Sequence, residues 1–134
     1  MPQAEGLSIK FDSHDRIQAE LLETLPYEGE EQLIEMDYPE FSAVCPFSGL
    51  PDIALVTIRY IPTDKIVELK SLKYYFISYR NVGIYQEDMT NKVYRDLKKL
   101  LEPKALEVQT IYNIRGGIET TCTIGKIINF DKTS

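Results

Sequence analysis

The chain has no tryptophan, one histidine and two cysteines in 134 residues. Each scarcity excludes something. Cys45 and Cys122 cannot make a disulfide framework, and a reducing compartment keeps such a pair as thiols. With His14 as the lone histidine, the soft ligands of a zinc site are missing and no metal is expected. No apolar run reaches the length of a membrane span. The first residues lack the basic start and apolar core of a secretory signal, so the expected compartment is the cytoplasm. No Gly-x-Gly-x-x-Gly segment follows a strand pattern, which removes a Rossmann dinucleotide site. Positive charge is also short: 15 Lys and Arg stand against 21 Asp and Glu, a net charge of −6. Non-specific nucleic-acid binding rests on phosphate neutralisation, so no direct nucleic-acid partner is expected. A small anion in a locally basic pocket stays compatible with this balance.

The length suits one core. Residues 1–30 read as an N-terminal extension with a short helix, and 31–134 as a single domain. In the extension Ser13 is placed to cap a helix carrying Ile17, Leu21, Leu22 and Leu25, which Pro26 stops. Ile34, Met36 and Tyr38 alternate with acidic residues, as in a strand. Residues 42–52 are rich in turn formers and predict a loop. A β-branched strand from Ile53 to Ile61 is followed by the turn Pro62-Thr63-Asp64-Lys65 and a partner strand from Ile66 to Leu69, which predicts a hairpin. From Ser71 the period changes: Leu72, Tyr75, Phe76 and Tyr79 keep helical spacing until Asn81–Gly83 break it. A second helix runs from about Gln86 to Leu101 and ends before Pro103. Strands from Leu106 to Tyr112 and from Ile118 to about Ile124 flank Arg115-Gly116-Gly117. The central order β-β-α-α-β-β implies an α+β fold: an antiparallel sheet with helices on one face. Its two open edges invite pairing between subunits, so a homo-oligomer is expected.

Few residues are candidates for chemistry. Cys45 stands in the predicted loop before Pro46. It reads either as a thiolate nucleophile on a rigid scaffold or as a small buried hydrophobe. Cys122 falls in an alternating strand and reads as packing. Asp52 closes the same loop, either as a proton-carrying carboxylate or as a turn residue. Glu68 to Tyr75 spans a strand-to-helix junction. There Lys70 and Lys73 can converge on one anion, and a helix N-terminus adds backbone donors; the alternative is a solvated basic helix start. Glu87 opens the second helix, either as a favoured first-turn carboxylate or as an acceptor for the ring N–H and exocyclic amine of a guanine-like edge. Arg115 before two glycines suits a phosphate, or an exposed turn. The tyrosines, at helical or alternating spacing, read as core or interface residues.

Taken together, these segments resemble the single-domain 7-cyano-7-deazaguanine reductases, the QueF family. Glu68-Leu69-Lys70-Ser71-Leu72-Lys73-Tyr74-Tyr75 fits the family's reductase motif at every position. Glu40 to Asp52 looks like its catalytic loop, and Tyr79 to Gly83 and Arg115 to Gly117 resemble two further family segments. The likeness runs from about Pro39 to Cys122. It implies the tunnelling fold, in which subunits join sheet edges into barrels, as pentamers or decamers, with sites between subunits. It also implies NADPH-dependent reduction of the nitrile of 7-cyano-7-deazaguanine to the aminomethyl compound, in queuosine biosynthesis. By the same resemblance Cys45 forms a covalent thioimide and Asp52 protonates the nitrogen. Val67, Glu68, Leu69, Gln86 and Glu87 would line the base pocket, and Leu69, Lys70, Ser71, Lys73, Arg115 and Gly116 would contact NADPH.

One position departs from the family pattern. Gln86 stands where a histidine is common, and glutamine cannot carry a proton at neutral pH. Two other readings are weighed. An amidine-forming relative would use the same cysteine on the nitrile within tRNA without NADPH; the intact Lys70/Lys73 motif and the acidic balance weigh against it. A non-catalytic nucleobase-binding oligomer would bind reversibly and form no adduct on Cys45.

Overall fold

The computed structural model describes residues 12–114 and 116–127. Six strands and two α-helices follow one another as β1 (Thr24–Pro26), β2 (Ile34–Val44), β3 (Pro51–Ile61), β4 (Lys65–Val67), α1 (Leu69–Ile77), α2 (Gln86–Leu101), β5 (Ala105–Tyr112) and β6 (Thr121–Ile124). Four of the strands form one antiparallel sheet in the order β2-β3-β5-β6. Its strands and the helices between them follow the expected β-β-α-α-β-β order.

Alternation explains why the sheet has one dry face. Ala54, Val56, Ile58 and Tyr60 of β3, and Leu106, Val108, Thr110 and Tyr112 of β5, point to one side and are buried. Over that side lie Tyr75, Phe76 and Tyr79 of α1 and its following turn, and Met89, Val93, Leu97 and Leu101 of α2. The other side is polar: Arg59 of β3 pairs with Glu35 of β2 at 3.2 Å and with Glu107 of β5 at 3.5 Å. Their Cα atoms are register partners on both sides.

The parity of β2 changes along its length. Tyr38 partners Val56 and Phe41 partners Ala54, so one extra residue is inserted around Pro39, which has no N–H for the ladder. The bulge moves the inward set from Ile34, Met36 and Tyr38 to Phe41 and Ala43. Tyr38 then stacks on Phe76 at 4.8 Å, and Phe41 meets Tyr79 edge-on at 5.2 Å.

Three local expectations are corrected. The predicted loop 42–52 is shorter, because Ser42–Val44 and Pro51–Asp52 pair within the ladder and leave 45–50 as the turn. Pro51 is tolerated as the first residue of its strand. The hairpin between Ile53–Ile61 and Ile66–Leu69 does not form: β3 is already flanked by β2 and β5, so β4 pairs with β1 instead, Thr24 opposite Val67. The single helix expected in the N-terminal segment is two 3-10 turns, His14–Arg16 and Ala19–Leu21. The reason lies in α1 and its C-cap, whose serines capture the backbone donors: Gln18 N–H binds the Ser78 hydroxyl at 3.0 Å, and Glu23 N–H the Ser71 hydroxyl at 2.9 Å. Ile17 and Leu22 are thereby buried in the common core.

Candidate active site

Cys45 sits at the start of a turn that is closed from within. Its N–H donates to Leu50 C=O at 2.8 Å, and its own C=O accepts from Gly49 N–H at 2.7 Å. Gly49 holds φ at 74°, a conformation that favours glycine. The residue before Cys45 is clasped by the linker between the helices: Val44 N–H donates to Val82 C=O at 3.0 Å, and Ile84 N–H to Val44 C=O at 3.2 Å. The thiol is therefore held by fixed backbone on both sides.

Several forces act on that thiol. Burial pushes its pKa up. The backbone N–H groups of Ser48 and Phe47 and the Ser48 hydroxyl outweigh this and hold Cys45 below the ordinary thiol range, while the nearby Asp52 carboxylate opposes them. Asp52 itself is 6 % exposed and begins the buried face of β3. A thiolate-prone sulfur beside a carboxylate can add to an electrophilic carbon while a proton is delivered next to it.

Tyr112 completes this end of the sheet, at an alternating position that reads in the sequence as packing. It lies opposite Ala54, which makes it the diagonal same-face neighbour of Asp52. It is 2 % exposed, and its hydroxyl has no hydrogen-bond partner among the described residues. Burial pushes the phenol far up, and Asp52, Cys122, Tyr79 and Glu87 push the same way. Asp52 and Glu87 thus act on one hydroxyl from β3 and from the first turn of α2. Alternation could have marked Tyr112 as inward-facing; only the fold sets it beside Asp52.

Glu87 and Gln86 open α2, which is pinned to β5 by the Thr90 and Thr110 hydroxyls at 2.6 Å. Thr90 also donates to Gln86 C=O at 2.9 Å. Gly116, exposed with φ 57°, lies in the β5–β6 turn. Arg115, expected beside it as a cofactor contact, lies outside the described residues.

The second group of expected residues is elsewhere. Val67 is buried, its N–H donating to the Tyr60 hydroxyl at 3.2 Å. Asp52 and Tyr60 are eight positions apart along β3, about 25 Å at the rise of a strand. Glu68 caps α1, accepting from Lys70 N–H at 3.0 Å and Ser71 N–H at 2.6 Å. The Ser71 backbone bond is the main reason its carboxyl lies below the usual range; burial opposes it, and the Lys70 N–H, the Ser71 hydroxyl and the Lys70 charge add to the lowering. Two of the backbone donors expected to serve an anion are therefore occupied by Glu68. The Ser71 hydroxyl is likewise engaged, donating to Glu68 C=O at 2.7 Å and accepting from Glu23 N–H. Leu69, Lys70 and Lys73 are exposed and share a shallow groove with Tyr74 and Ile77. Within one chain, then, Cys45, Asp52 and Glu87 gather at one end of β3, and Val67 to Lys73 at the other.

Around the thiol end the surface is apolar. Phe47 is 89 % exposed, and Leu50, Ile53, Tyr85, Ile114 and Ile118 are also exposed. Among the described residues no cluster of three His, Cys, Asp or Glu could hold a metal ion, and no helix is long and apolar enough to cross a membrane.

Fold and site together define a small α+β domain of the tunnelling type that presents a preorganised thiol beside a buried carboxylate. The family described as QueF-like protein matches residues 51–128. A protein of Thermotoga petrophila named NADPH-dependent 7-cyano-7-deazaguanine reductase is 56 % identical over 128 residues, covering 95 % of this chain and 93 % of its own. A protein of the same name from Caldicellulosiruptor bescii is 55 % identical over 115 residues, covering 83 % and 88 %. The chain belongs to the QueF family. The crystal structure of an archaeosine synthase QueF-Like in the apo form superposes with TM-score 0.65 at 22 % identity, over 69 % of this chain and 91 % of that one, and supports the fold.

Proposed function

We propose that this protein reduces the nitrile of 7-cyano-7-deazaguanine to the aminomethyl group with NADPH, through a covalent adduct on Cys45. The observation that carries this reading is the Cys45–Asp52 pair: a thiol held below its ordinary range next to a buried carboxylate. A nitrile is a poor hydride acceptor. Addition of the Cys45 sulfur to its carbon, with a proton passing from Asp52 to its nitrogen, gives a thioimide and divides a hard step into easier ones. Glu87, exposed at the start of α2, offers a carboxylate for the base's N–H groups, and Gln86 beside it offers both a donor and an acceptor.

NADPH, when bound, supplies hydride to the carbon. Two exposed cations fit its phosphates: Lys70 and Lys73 lie on the first turns of α1, and Leu69 beside them offers an apolar contact. Arg115 and Gly116 would add a cation and an open backbone approach. The Glu68 cap leaves the anion to the lysine side chains rather than to the backbone donors of Lys70 and Ser71.

The separation of the two residue groups supports a site shared between subunits, with Cys45, Asp52 and Glu87 from one chain and Val67 to Lys73 from a neighbour. The apolar rim of Phe47, Leu50 and Ile114 beside the thiol suits such a neighbour, and the open edges of β2 and β6 suit barrel closure. Cytoplasmic location and the absence of direct tRNA contact belong to this reading.

The test is NADPH oxidation by the purified protein with 7-cyano-7-deazaguanine, beside Cys45→Ala. Substrate-dependent oxidation that disappears in the variant is expected. Amidine formation with ammonia and no NADPH oxidation, or reversible base binding with no adduct on Cys45, would overturn the proposal.

A further inference from the structure

The peptide that joins Val44 to Cys45 is held at both ends. Its N–H donates to Leu50 C=O at 2.8 Å, and its C=O accepts from Ile84 N–H at 3.2 Å. Ile84 N–H belongs to the peptide that begins at Gly83, and the C=O of that peptide meets His14 Nε2 at 3.1 Å. A carbonyl only accepts, so Nε2 carries the proton and donates it. An unbroken row of hydrogen bonds therefore runs from the His14 ring through the 83–84 peptide and the 44–45 peptide to Leu50, each link a direct contact.

The N-terminal segment keeps this ring in place. Asp12 and Val44 bridge the linker between the helices from opposite sides, because successive groups of an extended chain point opposite ways. Asp12 N–H donates to Asn81 C=O at 2.6 Å, and Asp12 C=O accepts from Gly83 N–H at 2.9 Å. Beyond His14, Ile17 is buried in the core and Gln18 N–H is tied to the Ser78 hydroxyl. The segment is thus pinned before and after His14. Gly83 is where such pinning counts. With no Cβ its peptide groups turn more freely than those of other residues, and here the segment takes both its N–H and its C=O.

We propose that His14 is a positioning residue for Cys45, acting through the 83–84 and 44–45 peptides. It rests on the reading of Cys45 as the nucleophile. Hydrogen bonds in a row polarise one another and fix the plane of each amide between them. The last plane carries Cys45 N–H, whose bond to Leu50 closes the turn that contains Phe47 and Ser48. The N–H groups of those two residues act on the sulfur, and a turn that loosens withdraws them. It also lets the sulfur drift from the line of attack on the nitrile carbon. No proton travels along the row, since each amide N–H stays on its nitrogen. Base recognition is held separately: the first turn of α2, with Glu87, is pinned to β5 by the Thr90 and Thr110 hydroxyls. His14 therefore bears on the step at sulfur and leaves binding alone.

His14→Ala and His14→Gln test this. His14 is exposed, so alanine removes the donor and leaves no cavity. The glutamine amide reaches about as far as Nε2 and keeps a donor for Gly83 C=O. In His14→Ala the inflection of the Cys45 alkylation rate against pH should move up, while Cys122, alkylated in the same molecule, keeps its wild-type rate. Hydrogen exchange at the Ile84 and Cys45 amides should quicken. Turnover with the cyano substrate and NADPH should fall about fivefold, the worth of one hydrogen bond between neutral groups, with KM unchanged. His14→Gln should return each of these to the wild-type value. A wild-type inflection and wild-type exchange in His14→Ala would overturn the proposal. So would a glutamine variant that behaves like the alanine one, since the donor would then not be what counts. Equal changes at Cys45 and Cys122, or an alanine variant that does not fold, would make His14 a residue of the fold at large and overturn it too. If the wild type forms no adduct with the nitrile, the proposed function fails, while alkylation and exchange still decide the role of His14.

Discussion

The hydroxyls of Thr90 and Thr110 meet at 2.6 Å, and the donor can be assigned. Thr90 has one O–H and gives it to Gln86 C=O at 2.9 Å, so Thr110 is the donor to Thr90. This contact fixes the first turn of α2, and with it Glu87, against the strand that carries Tyr112. Thr110→Val keeps the shape and loses one hydrogen bond, a cost of about 1 kcal/mol. Thr90→Val also strands the Thr110 hydroxyl in the core and should cost more, about 1–3 kcal/mol. Chemical denaturation of the two variants checks the order. Equal costs would show that Thr110 already had another partner.

Cys45 should react as a thiol of lowered pKa. A lowered pKa keeps the thiolate present to lower pH, so alkylation by iodoacetamide should persist below the pH at which it fades for the unfolded chain. Ser48→Ala removes one of the groups that hold the thiolate, and the inflection of the rate–pH curve should move up. An unmoved inflection would assign the lowering to the backbone N–H groups alone.

Glu68 should make stability depend on pH. Its folded carboxyl lies below the unfolded value, chiefly through the Ser71 N–H. That contribution is complete above the unfolded pKa and is lost as pH falls through the folded one. Glu68→Gln should therefore melt lower than the wild type at neutral pH, with the gap closing in acid. A gap independent of pH would mean that the cap does not need the charge.

A shared site can be tested by mixing. Cys45→Ala lacks the nucleophile, and Lys70→Ala combined with Lys73→Ala lacks the cations from the other end of β3. Each should be inactive alone. Unfolding and refolding them together should restore activity at interfaces that receive an intact Cys45 from one chain and intact lysines from another. No recovery from a mixture that forms mixed oligomers would place the whole site within one chain.

Much of this protein was determined by its sequence. The switch to helical period at Ser71, and the breakers on either side of Gln86–Leu101, are local signals; α2 appears where they put it, and α1 begins two residues earlier than expected, at Leu69. The one-sided sheet follows from alternation in β3 and β5. Cys45, Asp52 and the Glu68–Tyr75 run were legible because they fall in contiguous segments. Tertiary structure decided the rest. Which strand β4 would pair with depended on competition for the edges of β3, and that is settled by distant residues. The N-terminal segment lost its helix because Ser71 and Ser78 supply acceptors from fifty or so residues away. Glu68, alike in sequence to a ligand-binding residue and to a helix cap, is given its cap geometry only when α1 forms. The buried tyrosines read as packing in the sequence, because periodicity reports the face a residue occupies and says nothing about what its hydroxyl will meet. That Tyr112 comes to lie diagonally beside Asp52, and that the Tyr75 hydroxyl meets both Tyr79 and Asp96, depends on the register of β5 against β3 and on how α1 and α2 lie over the sheet.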